Sequence, residues 1–381
     1  MFRTTGLGAR RRRHVAFRRL LPIVAAYGVA APPLQAYRFY PEDWLSRTAA
    51  TSARAARWDL GGFPLRFRIL DTGDRPEYAD LTAEKWREIV ERGFAAWTDI
   101  ETADISIVLE EAAVMAEHLD ISDGINTIGF ESSEVRDYRA SALRLDEGGQ
   151  TTGCDVRFDP GIFAGWPEDD PRIADWAADF LEEVVMHEMG HCLGLDHVPA
   201  NPVWLGQGAN SPNWPSGFLP ETLDGLSPDP QMSIGASYGV PRLMPDDRIG
   251  VSLLYPAPGF LEERGSIGGR LVTPEGEPAA FLYVQSVDYS SGRAVFGPGA
   301  FADERGQFQL EGLPAGPVHL WIRPAWVSST DLPQASIIAN RLAFQDSGTA
   351  DLLDEHRWFS VRSGVLTIVP EIRVTVGRRP P

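Results

Sequence analysis

The chain is poor in cysteine and almost devoid of lysine: Cys154 and Cys192 are its only cysteines, and Lys85 its only lysine, among 381 residues. Two cysteines exclude the dense disulfide framework of small secreted domains and allow at most one bridge. The lysine deficit reads as codon composition, since arginine takes the basic positions. Positive charge is scarce overall, with a net charge of −18. Residues 1–36 hold seven arginines and no acid, so the remainder is more acidic still. Nucleic acid is therefore not an expected partner, because a phosphate backbone is bound by basic surface. After the N-terminus there is no apolar run of membrane-spanning length, and no stable membrane insertion is expected once a leader is removed.

What is present begins with "ARRRRHVAFRRLLPIVAAYGVAAPPLQA": a basic stretch, a short apolar run, then small residues. This pattern predicts a signal peptide over residues 1–36, with cleavage after Ala36 and a secreted or periplasmic mature protein. Pro22, Pro32 and Pro33 interrupt a segment already too short for a membrane anchor. At 381 residues the chain is long enough for roughly two to three domains.

Residues 37–59 form a short N-terminal segment that leaves room for no more than a minimal pro-segment. "FPLRFRIL" then reads as a strand, followed by a helix over "ADLTAEKWREIVERGFAAWTDI". In that helix Trp86, Ile89, Val90, Phe94 and Trp97 recur at three- and four-residue spacing, a core-facing stripe. Short strands at "DISIVLE", "NTIGF" and "DVRFD" precede a second helix, from about Arg172 to Leu193. A mixed sheet backed by helices follows from this order.

The second helix ends in "HEMGHCLGLDH", residues 187–197, which holds three of the seven histidines. His187 and His191 are one turn apart on the same face, so both can reach one metal ion. Glu188 lies about a hundred degrees round the axis, near the ion without being needed as a ligand. Gly194 permits a sharp change of direction that returns His197 toward the same point. Three neutral imidazoles would fill three positions on Zn(2+) and leave the fourth to water, the pattern of a catalytic site. His14, His118, His319 and His356 have no comparable neighbours.

His187, Glu188, His191, Gly194 and His197 match every fixed position of H-E-x-x-H-x-x-G-x-x-H, and here the chain resembles the metzincin metalloproteases. Within that clan "FPLRFRIL", "GFAAWTDIETADISIVLE" and "PDDRIGVSLLYP" are similar to the matrixin branch, over roughly residues 60–256. The resemblance implies zinc held by His187, His191 and His197, Glu188 as general base, and a methionine in a tight turn beneath the metal. Met232 and Met244 are the two candidates for that turn. Met232 is favoured, because Met244 directly precedes the stretch resembling the closing helix. The chain departs from the family between His197 and Met232, where a long segment rich in Pro, Gly, Asn and Trp intervenes. It also lacks the pro-peptide cysteine motif and the usual structural zinc and calcium sequence.

Cys192 follows a histidine ligand and points away from the metal face, so it is not a fourth ligand. In an exported protein it would pair with Cys154, the alternative being two buried thiols.

After Pro256 the composition changes to short alternating strands separated by Gly, Pro and charged turns, as in "GSIGGRLVTPEGEPAAFLYVQSVD" and "FADERGQFQLEGLPAGPVHLWIRP". Residues 257–263 read as a linker and 264–378 as an all-β sandwich. The latter resembles carboxypeptidase regulatory-like domains, which are immunoglobulin-like, and it reads as separable from what precedes it. The expected class is therefore α+β: a metzincin-like catalytic domain with a mixed twisted sheet and an active-site helix, then an immunoglobulin-like sandwich. The expected function is a secreted zinc metalloendopeptidase acting on protein or peptide substrates. Substrate would pair with an edge strand, provisionally "DVRFD". The alternative is an adhesion or matrix-binding protein with a vestigial zinc domain, against which the intact Glu188 argues.

Overall fold

In the computed structural model the described residues are 34–35, 38–39, 55–73, 81–115, 119–131, 140–163, 172–196, 232, 242–280, 282–288, 295–303, 305–324 and 357–374. Of the expected leader they include only β1 (Leu34–Gln35); β2 (Arg38–Phe39) follows. His197 and the long segment after it lie outside them. Among the described residues no helix is long and apolar enough to cross a membrane.

The first half is built from β3 (Leu65–Asp71), α1 (Ala83–Thr98), β4 (Ile107–Leu109), β5 (Val114–Met115), β6 (Asn126–Phe130), β7 (Ala140–Glu147), β8 (Gln150–Phe158), α2 (Arg172–Cys192) and β9 (Leu195–Asp196). Thr82 caps α1, its hydroxyl accepting the Lys85 N–H at 3.1 Å. The aromatic stripe of α1 is buried as its spacing predicts, and Trp86 packs against Phe130 and Phe158 with ring centroids 4.8 and 5.0 Å apart. Helices α1 and α2 cross where Gly93 faces Val185, a position at which a Cβ would overlap the valine.

The sheet runs β4-β3-β6-β8-β7, with β5 beside the far end of β3. All its pairs are parallel except β7 with β8. This corrects the provisional edge strand. "DVRFD" lies in β8, between β6 and β7, and is buried on both faces from Gly153 to Val156. The edge strand beside β8 is β7, "ASALRLDE", whose mixed small, charged and apolar residues carry no clear alternation to announce a strand.

The second half follows α3 (Pro245–Leu254) and the short α4 (Phe260–Glu263). Its strands are β10 (Arg264–Val272), β11 (Leu282–Asp288), β12 (Val295–Phe301), β13 (Gln307–Pro314), β14 (Gly316–Pro324), β15 (Arg357–Val361), β16 (Leu366–Ile368) and β17 (Ile372–Arg373). One sheet is ordered β1-β12-β11-β14-β15 and the other β13-β10-β16, with β17 also on β10. The described residues are thus mixed α+β and form two hydrophobic cores. One gathers residues between Ala55 and Phe260; the other, between Ile267 and Val374, takes Leu282, Val284, Leu320 and Ile322 from one sheet and Ile267, Phe308 and Leu310 from the other. Residues 257–263 are not extended: the Ala257 N–H donates to the Thr102 carbonyl at 3.1 Å, and Phe260 is buried in the first core.

Candidate metal centre

Helix α2 is buried through its last turns, and its one-turn spacing brings His187 and His191 together with Nε2 atoms 3.2 Å apart. The His191 Nδ1 lies 2.8 Å from the Leu195 carbonyl oxygen. A carbonyl only accepts, so that nitrogen carries the proton, and in the neutral ring Nε2 presents its lone pair toward His187. Two nitrogens bound tetrahedrally to one zinc, each at about 2.0–2.1 Å, stand about 3.3–3.4 Å apart. The separation of the pair is close to that of two such ligand nitrogens on one ion. Among the described residues no group of three metal-binding side chains stands together. His197, the expected third ligand, lies outside the described residues.

Glu188 is 6% exposed. Burial pushes its carboxyl up to about 8, and the Ala142 backbone N–H, hydrogen-bonded to it, draws it part of the way back. Ala142 is on β7, so this edge strand of the sheet and the glutamate of the histidine helix are in direct contact.

The C-terminal end of α2 leaves carbonyls that the helix cannot satisfy. Four groups take them, three of these from distant parts of the chain. The His191 carbonyl accepts from the Gly194 N–H at 2.9 Å and from Arg144 Nη1 of β7 at 3.2 Å. The Cys192 carbonyl accepts from Trp58 Nε1 at 2.8 Å, and the Leu193 carbonyl accepts from the Tyr255 hydroxyl at 2.7 Å. Burial holds that phenol well above its ordinary range, so it donates at any working pH. Cys154 of β8 and Cys192 are joined by a disulfide with Cα atoms 5.6 Å apart, a fifth hold on the same turn.

Gly194 turns the chain with φ +106°, and a Cβ there would stand 2.8 Å from the Ala56 carbonyl oxygen. Gly194→Ala is expected to destabilise the protein by about 1–3 kcal/mol through that strained conformation and overlap. Denaturant unfolding of the variant measures it; a midpoint equal to the parent's would show that the turn relaxes freely.

Of the two methionines weighed for the turn, Met232 is buried against α2, where a Cβ on Gly190 would overlap its sulfur. Met244 instead precedes α3 as its N-cap. One side chain holds both: Asp247 accepts the Met232 N–H at Oδ1, 3.1 Å, and the Met244 N–H at Oδ2, 2.9 Å. Trp58, Arg144, Tyr255 and Asp247 were not singled out from the sequence. An acid in the first turn of a helix signals no more than favourable charge at its N-terminus, and the other three act across 47 to 134 residues of chain.

No protein-family profile matches the chain, and no curated protein does. Solved structures give weak likenesses. The Bacillus anthracis TIE protein is 10% identical with a TM-score of 0.19, over 30% of this chain and 17% of its own. A streptococcal ancillary pilin is 16% identical with a TM-score of 0.20, over 31% and 30%. An AB5 holotoxin, ECX, in a GM1-bound form is 14% identical with a TM-score of 0.26, over 52% and 83%. This chain spans less than a third of the first two proteins' own length. Similarity at this level carries no argument about function.

Proposed function

We propose that the chain is an exported zinc metalloendopeptidase of the metzincin type, matrixin-like over residues 60–256, with an immunoglobulin-like sandwich appended. The observation that carries the reading is the His187 and His191 pair, with Nε2 atoms 3.2 Å apart and the His191 tautomer set by Leu195, directly beside buried Glu188. The sheet with an antiparallel outer strand against the histidine helix supports it further.

His187, His191 and His197 would hold the metal. Zinc, when bound there, supplies Lewis-acid polarisation of the scissile carbonyl and acidifies water. In its ionised form Glu188 accepts a proton from the attacking water and delivers it to the leaving amine nitrogen, so that the C–N bond breaks with the proton returned. Its low exposure keeps bulk water from competing for that proton. β7 offers its outer edge to an extended substrate, whose backbone pairs with the strand while the Ala142 N–H stays with Glu188. The lock on the end of α2 keeps the His191 backbone from shifting as substrate enters.

The test is metal analysis and peptide cleavage with the purified full chain. One zinc per chain is expected, with hydrolysis of a mixed peptide library that a chelator abolishes and added zinc restores. A zinc-loaded, folded chain that cuts nothing in the library would leave the adhesion reading in its place.

A further inference from the structure

The sequence reads the C-terminal sandwich as separable, yet the structure seats it on α3. The Gly299 N–H of β12 donates to Asp246 Oδ1 at 3.3 Å. On β13, Gly312 stands with φ +70° against Ile249, and a Cβ there would overlap the isoleucine Cγ2 and lie 3.7 Å from Leu253 Cδ1. The helix thus meets one strand of each sheet, β12 through a backbone donor and β13 where a side chain is missing. Asp246 is buried by this contact, and its Oδ2 makes no hydrogen bond among the described residues. A carboxyl buried with one oxygen unbonded is poor glue, so grip alone does not account for it.

The opposite side of α3 faces the metal centre. Val251 and Leu254 belong to the first core, and Asp247, one residue after the docking aspartate, carries the backbone of Met232. Met232 in turn fills the space under Gly190, between His187 and His191 on α2. At ten residues α3 is too short to hold its own position in water; packing on its two sides sets where it lies. The path from sandwich to histidine pair is therefore continuous: Gly299 and Gly312, then Asp246 and Ile249, then Asp247, Met232 and Gly190.

We infer that the sandwich is part of the scaffold of the metal centre, and that Asp246 and Ile249 are positioning residues through which it fixes α3 and the Met232 turn against the histidine helix. This rests on the peptidase reading above. It assigns the appended module a role at the site itself, where a spacer would act only at a distance.

Two substitutions in the full chain test it from opposite sides of the contact. Ile249→Ser withdraws the side chain from the Gly312 notch, and Gly312→Ala fills the notch from the sandwich. Both are compared with the parent at a temperature where circular dichroism shows all three folded; Asp246→Ala replaces either one that does not fold. The first readout is hydrogen exchange at the Met232 amide, which donates to Asp247, and the second is the split between kcat and KM on a reporter peptide from the library. Exchange at Met232 should quicken roughly tenfold and kcat fall by about the same factor with KM little changed, because the turn loosens while the substrate edge at β7 is untouched. A Met232 amide indifferent to both substitutions in an active protein sinks the inference alone, as does faster exchange with kcat at the parent's value. A zinc-loaded parent that cuts no peptide sinks the peptidase reading, and the positioning role with it.

Discussion

Glu188→Gln is expected to keep one zinc per chain and to lose peptide hydrolysis by roughly 10²- to 10⁴-fold, the span over which a positioned general base acts. The amide has nearly the volume of the acid, and its oxygen can still accept the Ala142 N–H that now meets the carboxyl. The imidazole pair is untouched, since His191 takes its tautomer from Leu195 and faces His187 independently of Glu188. What disappears is the capacity to receive a proton. A fall in kcat at constant zinc content and constant unfolding midpoint identifies that loss. Zinc and activity vanishing together would mean that Glu188 serves the metal instead, and that base catalysis belongs to another group.

Replacing Cys154 and Cys192 together by alanine is expected to cost about 4 kcal/mol of stability, the chain-entropy value for a loop of this size. The two cysteines are 38 residues apart and both buried, so the bridge closes a long loop between β8 and the end of α2. Denaturant unfolding of the double variant against the parent gives the figure directly. A loss under about 1 kcal/mol would show that the bridge adds little beyond the hydrogen bonds from Arg144, Trp58 and Tyr255. Zinc affinity should fall less than stability, because those three donors still hold the carbonyls of His191, Cys192 and Leu193. Intact mass after alkylation under denaturing, non-reducing conditions checks the premise: two adducts would mean that no bridge had formed.

The aromatic stripe of α1, the one-turn step from His187 to His191 and the turn at Gly194 were legible from the chain alone, because helical spacing and the conformational freedom of glycine are local. The same holds for the change to strand patterning after Pro256, since turn residues and alternation are written a few positions at a time. Which strand lies outermost was not legible. β7 and β8 differ by their neighbours in the sheet, and β7 has no periodicity to announce it.

The lock on the end of α2 was beyond a sequence reading for a related reason. A tryptophan at 58, an arginine at 144 and a tyrosine at 255 each have an ordinary explanation as core or surface residues. They become donors to three successive carbonyls only when the fold closes the 134, 47 and 62 residues between them. Asp247 shows both halves at once. Its place in the first turn of α3 follows from helix electrostatics, while its hold on Met232, 15 residues upstream, depends on where tertiary packing sets that helix. The sequence by itself determined which residues could bind a metal and move a proton, since that is side-chain chemistry at helical spacing. Only the tertiary structure decided what holds them still, because a buried carbonyl or carboxyl takes whichever donor the packing of distant segments brings within about 3 Å.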